Sequence, residues 1–110
     1  MATTFVEITQ PSEFDRLTAA SHETPVLLFK HDTTCRISAA AHHQLKRVEG
    51  EIPLVDVARS KDLSLDIARR TGVTHESPQV ILFRDGAAVW SASLYDITAE
   101  AVSEAMSAGA

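Results

Sequence analysis

The chain has little cysteine, glycine, proline or aromatic content, and it lacks any long hydrophobic run. Of its 110 residues only one is cysteine, Cys35, so no disulfide can form within the chain and a disulfide-stapled scaffold is excluded. Four glycines and four prolines are scattered without a repeat, a low-complexity segment or a linker. No apolar stretch is long enough to span a bilayer, and the first twelve residues carry no basic segment followed by an apolar one, so a secretory leader is not expected. A cytoplasmic location, where thiols stay reduced, is the expectation. The ten basic residues form no stripe and the formal charge is −5, which argues against nucleic acid or an acidic membrane surface as partner. One cysteine with His31, His42 and His43 does not supply the paired ligand spacing of a structural zinc site, so no metal is expected.

What is present is 45% hydrophobic residues, enough for one domain over residues 1–110 with an ordinary core and no need of disulfide or metal staples. Strand-like and helix-like periods alternate from end to end, which predicts an α/β fold with a central mixed sheet flanked by helices. Strands are predicted at 3–8, 26–30, 52–57, 78–83 and 87–94. A helix is predicted to start near Pro11 with Ser12 as its cap and Phe14 and Leu17 facing inward. A second runs from 35 or 36 to about 48, because Ile37, Ala41, Leu45 and Val48 recur at helical spacing and Gly50 is placed to stop it. The third covers 63–71 and closes at Gly72; the fourth starts from Thr98, with Ile97 and Val102 as a hydrophobic staple. Asp85-Gly86 supplies the positive φ that a tight hairpin needs. Phe83 and Trp90 read as core aromatics of that hairpin. The order is βα-βαβα-ββα.

Cys35 falls where a buried strand ends in a polar loop and a helix begins. Unpaired backbone N–H groups and the helix macrodipole favour a negative charge there, and the thiolate is the nucleophilic form of cysteine. Arg36 adds a permanent cation beside the sulfur. Ser38 stands where a dithiol protein would carry its resolving cysteine; its hydroxyl is able to donate to a thiolate but not to form a disulfide. This chain therefore cannot cycle by itself as a dithiol reductase. His42, on the same predicted helix, is placed to tune the charge of the thiol. The competing reading of Cys35 is a small buried core residue.

Three stretches carry a resemblance. They are Phe29-Lys30-His31-Asp32-Thr33-Thr34-Cys35-Arg36-Ile37-Ser38-Ala39, then Thr71-Gly72-Val73-Thr74-His75-Glu76-Ser77-Pro78-Gln79, then Gly86-Ala87-Ala88-Val89-Trp90 through Asp96-Ile97-Thr98. Their order resembles the thioredoxin fold, and the paired words Thr-Cys-x-Ile-Ser and His-Glu-Ser-Pro-Gln resemble the monothiol bacilliredoxins of the YtxJ family. The resemblance implies a thiol-disulfide oxidoreductase that removes bacillithiol, a low-molecular-weight thiol, from mixed disulfides on client proteins, with a role in oxidative stress. It implies Cys35 as nucleophile, with Arg36 and Ser38 stabilising its thiolate. Thr34, Lys30, Ser77 and Pro78 would hold substrate or thiol cofactor, Lys30 and Arg36 by pairing with the carboxylates of bacillithiol's malate group. Lys30 reads equally well as a solvated strand end. In that fold the proline before the fourth strand is usually cis and its loop faces the cysteine.

Two positions depart from the family pattern. Arg36 stands where the family typically has proline, and Ser91-Ala92-Ser93-Leu94-Tyr95 lacks the His and Trp that members often carry there. Other readings that stay open are a glutaredoxin-like protein using glutathione or carrying an iron–sulfur cluster, and a thioredoxin-fold binding or adaptor module.

Overall fold

The structure, a computed structural model, describes residues 2–108. Its elements are β1 (Thr3–Glu7), α1 (Pro11–Ala20), β2 (Val26–His31), α2 (Arg36–Leu45), β3 (Gly50–Asp56), α3 (Lys61–Thr71), β4 (Gln79–Arg84), β5 (Ala87–Ser93) and α4 (Ala99–Ser107), with a 3-10 turn at Leu94–Asp96. The order of strands and helices is the one the periodicity predicts. The strands form one sheet in the order β1-β3-β2-β4-β5, parallel through β1, β3 and β2, with β4 antiparallel to both β2 and β5.

The apolar runs of β2 and β4 follow from their position inside the sheet, where both faces are covered. Side chains alternate between those faces. Leu27 and Phe29 of β2 and Val80 and Leu82 of β4 pack with Ala41 and Leu45 of α2 and Val102 of α4. Leu28, Ile81 and Phe83 point the other way, onto Phe14 and Leu17 of α1 and Leu63 and Ile67 of α3. Strand β5 lies at the sheet edge and alternates in exposure along its length. Trp90 is half-buried against the first cluster, and Phe83 meets Phe14 edge-on with ring centroids 5.6 Å apart.

Local signals act where the sequence places them at three sites. Asp85 and Gly86 take φ of 52° and 80° in the β4–β5 hairpin. Gly72, at φ 75°, ends α3 in the left-handed region. The Thr98 hydroxyl oxygen accepts from the Ala101 N–H at 3.1 Å, and Ile97 and Val102 on either side of it are buried.

Most strand boundaries differ from expectation by one or two residues, α3 starts at Lys61 rather than at residue 63, and the ends of two helices differ for a local reason. The cap of α1 is Gln10 rather than Ser12: Pro11 occupies the first helical position, where its φ is already set and no N–H is lost. The Glu13 carboxylate then accepts from the backbone N–H groups of Thr9 and Gln10 at 3.0 and 3.1 Å. Helix α2 ends at Leu45, not near Val48. Val48 is buried through the following turn, so its apolar spacing reported burial and not helicity. Gly50, at φ 110°, opens β3 instead of stopping α2.

Candidate active site

In the β2–β4 ladder Lys30 lies opposite Gln79. The Cys35 loop, which leaves β2, and the Ser77-Pro78 segment, which enters β4, therefore sit at the same end of the sheet. The Ser77-Pro78 bond is cis. The Pro78 carbonyl accepts from the Leu94 N–H at 3.0 Å, which ties the segment to the 3-10 turn after β5.

Cys35 is the N-cap of α2, with φ −106° and ψ 129°, and is half-buried. Its carbonyl accepts from the Ala39 N–H at 3.0 Å, and its own N–H donates to the Asp32 carbonyl at 3.1 Å. The sulfur thus stands at the positive end of the helix dipole. Before it, the Asp32 carboxylate accepts from the Thr34 hydroxyl at 2.7 Å and the Thr34 N–H at 3.0 Å. These bonds, hydroxyl first, hold the Asp32 carboxyl below its ordinary value. Thr34 therefore shapes the loop with its side chain, from an exposed position. Arg36 is exposed at the first position of α2.

Ser38 is fully buried, and its hydroxyl oxygen accepts from the Asp32 N–H at 2.9 Å and pairs with His31 Nδ1 at 2.6 Å. The expected donation to the Cys35 thiolate is not among its hydrogen bonds. Instead Ser38 braces the loop from inside. Its replacement by alanine leaves the Asp32 N–H without that acceptor, and the expected cost is about 1–3 kcal/mol, read from urea unfolding. An unchanged midpoint would refute the bracing role.

His31 and His42 continue this support as a stack of rings. His42 lies 4.3 Å from the Phe5 ring and 5.1 Å from His31, and His31 is 5.0 Å from Phe29. Burial pushes both histidines below their ordinary value. For His31 the neighbouring Asp56 and Asp32 carboxylates oppose this, while for His42 the proximity of His31, Lys46 and His43 adds to it. Among the described residues no group of three or more His, Cys, Asp or Glu side chains is placed to hold a metal ion. No helix among them is long and apolar enough to cross a membrane.

Lys30 corrects the sequence reading. It is 0% exposed, so it is neither a solvated strand end nor a surface cation for a cofactor carboxylate. Alternation along β2 turns it, with Leu28, toward α3. There its ammonium donates to the Ser64 carbonyl at 3.0 Å and meets His75 Nδ1 at 3.1 Å. Burial lowers its pKa to about 8. A lysine at a strand end is ordinarily exposed, and the contact with His75 spans 45 residues, so no local signal announces it. His75 is legible in the sequence only as part of the His-Glu-Ser-Pro-Gln word.

A mixed sheet flanked by four helices, a lone cysteine capping the helix after a central strand, and a cis proline opening the neighbouring strand define a thioredoxin-fold thiol-disulfide oxidoreductase. Residues 6–102 match the family described as monothiol bacilliredoxin BrxC, and the chain belongs to that family. Among solved structures it is 31% identical, with a TM-score of 0.83 over 93% of both chains, to a protein provisionally described as an oxidoreductase with a thioredoxin fold. Spinach chloroplast thioredoxin f matches with a TM-score of 0.71 and 16% identity over 97% of this chain and 92% of that one. Mitochondrial thioredoxin 3 of Saccharomyces cerevisiae matches with a TM-score of 0.69 and 18% identity over 93% and 92% of the two chains. These two thioredoxins share the fold.

Proposed function

We propose that the chain removes bacillithiol from mixed disulfides on client proteins in a reducing, cytoplasmic compartment, with Cys35 as the nucleophile. The observation that carries the reading is the placement of the chain's sole cysteine as N-cap of α2, half-buried, at the end of the sheet where the Ser77-Pro78 segment enters β4. The Cys35 thiolate attacks the bacillithiol sulfur of a client–S–S–bacillithiol bond. A new disulfide forms between Cys35 and bacillithiol as the old one breaks, and the electron pair leaves on the client sulfur, which takes up a proton. A second bacillithiol thiolate then attacks the bacillithiol sulfur held on Cys35. That step releases oxidised bacillithiol and restores the Cys35 thiolate. No internal cysteine competes for the intermediate.

Arg36 supports both steps by placing a cation one residue beyond the sulfur, and Thr34 and Ser77-Pro78 line the approach of the client. The test is intact-mass measurement after mixing with a bacillithiolated model protein and, in parallel, a glutathionylated one. The expected result is rapid gain of one bacillithiol by this chain, with slower transfer from the glutathione adduct. Preference for glutathione would replace the cofactor assignment, and no transfer from either donor would overturn the function.

A further inference from the structure

Lys30 and His75 lie outside the exchange chemistry, yet they meet directly beneath the segment that enters β4. The Lys30 ammonium has only donors to offer, so with Lys30 charged the 3.1 Å contact has His75 Nδ1 accepting and the ring proton on Nε2. No carboxylate among the described residues pairs with the Lys30 ammonium. The seam around the pair is polar: Ser64 Oγ, Ser77 Oγ and Gln79 Oε1 are buried without a hydrogen-bond partner among the described residues. Gln79 uses its amide nitrogen on the Thr74 carbonyl at 2.9 Å. Two directed contacts therefore hold the 74–78 loop here, the Gln79 amide on the Thr74 carbonyl from β4 and the Lys30–His75 bond from β2.

The geometry points to the buried Lys30 and the half-buried His75 as a positioning pair that seats the Ser77-Pro78 segment for client binding, and protonation of His75 releases it. The inference rests on the proposed exchange at Cys35 and names the residues that hold its client-facing loop. The charged and titratable groups around the pair are few. Lys30 comes from β2, His75 and the neighbouring Glu76 from the loop, while α3 offers the Ser64 carbonyl and β4 offers Gln79. Beside Lys30, β3 presents Val55, and its Asp56 carboxylate is engaged by the Ala58 and Arg59 N–H groups.

Burial, then Lys30, hold His75 below the ordinary histidine value of 6.5, with Glu76 opposing them. His75 is therefore neutral and accepting near neutral pH. On acidification Nδ1 gains a proton and becomes a donor facing a donor, so the bond is lost as pH falls through that range.

The experiment measures KM and kcat for transfer from the bacillithiolated model protein against pH, beside the rate of Cys35 alkylation by iodoacetamide. Loss of one charge-assisted hydrogen bond corresponds to roughly a tenfold effect. His75→Leu is expected to raise KM by about that factor at pH 7.5 while alkylation stays within about twofold. His75→Gln keeps a neutral acceptor for Lys30, so it is expected to restore much of the lost affinity and to abolish the rise in KM that wild type shows on acidification. Lys30→Met is expected to match His75→Leu in KM if circular dichroism shows it folded. An unchanged KM in His75→Leu, a parallel change in alkylation, or an acid rise that persists in His75→Gln would overturn the pair.

Nitrogen-15 shifts of His75 in the wild-type protein give a readout independent of client transfer. An Nε2–H tautomer at neutral pH is expected, and Nδ1–H would overturn the inference. Absence of transfer by wild type together with the Nε2–H tautomer would instead fault the proposed function.

Discussion

Replacement of Cys35 by serine is expected to reduce transfer from a bacillithiolated client to the spontaneous rate, with no bacillithiol adduct on the chain. The expectation is total loss because no other residue supplies a thiolate: the chain contains no second cysteine, and the hydroxyl of Ser38 is buried and engaged by Asp32 and His31. A serine hydroxyl does not form the mixed disulfide through which electrons pass from the cofactor thiol to the client. The fold should survive the exchange of one atom, because Cys35 holds its place through backbone hydrogen bonds, its N–H donating to the Asp32 carbonyl and its carbonyl accepting from the Ala39 N–H. Melting temperature and circular dichroism close to wild type, with transfer abolished, is the predicted pattern. Residual transfer above background in the serine variant would remove Cys35 from the mechanism and leave a binding module on a thioredoxin scaffold.

The second large effect is structural and passes through Phe29. Its ring is fully buried in the cluster formed with Leu27, Ala41, Leu45 and Val102, and it borders the rings of Phe5 at 6.2 Å, His31 at 5.0 Å and His42 at 6.3 Å. Phe29→Ala removes the ring and leaves a cavity between the sheet and α2, at an expected cost of about 3–5 kcal/mol. A protein of this size has total stability of only about 5–15 kcal/mol, so most of the margin is at stake. The corresponding fall in Tm is roughly 10–30 °C. Val89→Ala, on the exposed face of the edge strand, should change stability by less than about 0.5 kcal/mol. Thermal melts of the two variants side by side provide the check. A Tm loss at Phe29 no larger than at Val89 would mean that the stack beneath the cysteine is not a packed part of the core. Because His31 and Ser38 brace the Cys35 loop, slower Cys35 alkylation is also expected in Phe29→Ala below its melting range.

Elements with a strong local cause are legible in the residues themselves. Asp85-Gly86, Gly72 and the Thr98 cap with its Ile97–Val102 staple each act within a few residues, and each is found where the sequence places it. The strands β2 and β4 announce themselves because burial on both faces demands near-continuous apolar residues. Boundaries are less legible. Pro11 outweighs Ser12 in setting the start of α1, and Val48 keeps an apolar period beyond the end of α2 because a buried turn needs the same side chain as a buried helix.

The sequence by itself determined the alternation of strands and helices, the lone thiol at a strand-to-helix junction, and hence a monothiol chemistry. Those features depend on residue type, on short-range spacing and on counting, which need no knowledge of contacts. Only the tertiary structure decided what surrounds the thiol. Ser38 braces the loop from within, and the rings of His31, His42 and Phe5 stack although Phe5 and His42 come from elements far apart in the chain. Lys30, a residue type that is ordinarily solvated, is buried with His75 as its partner. Such pairings arise when a sheet brings distant segments into register, and the free energy that holds a cation inside resides in partners that its sequence neighbours do not reveal.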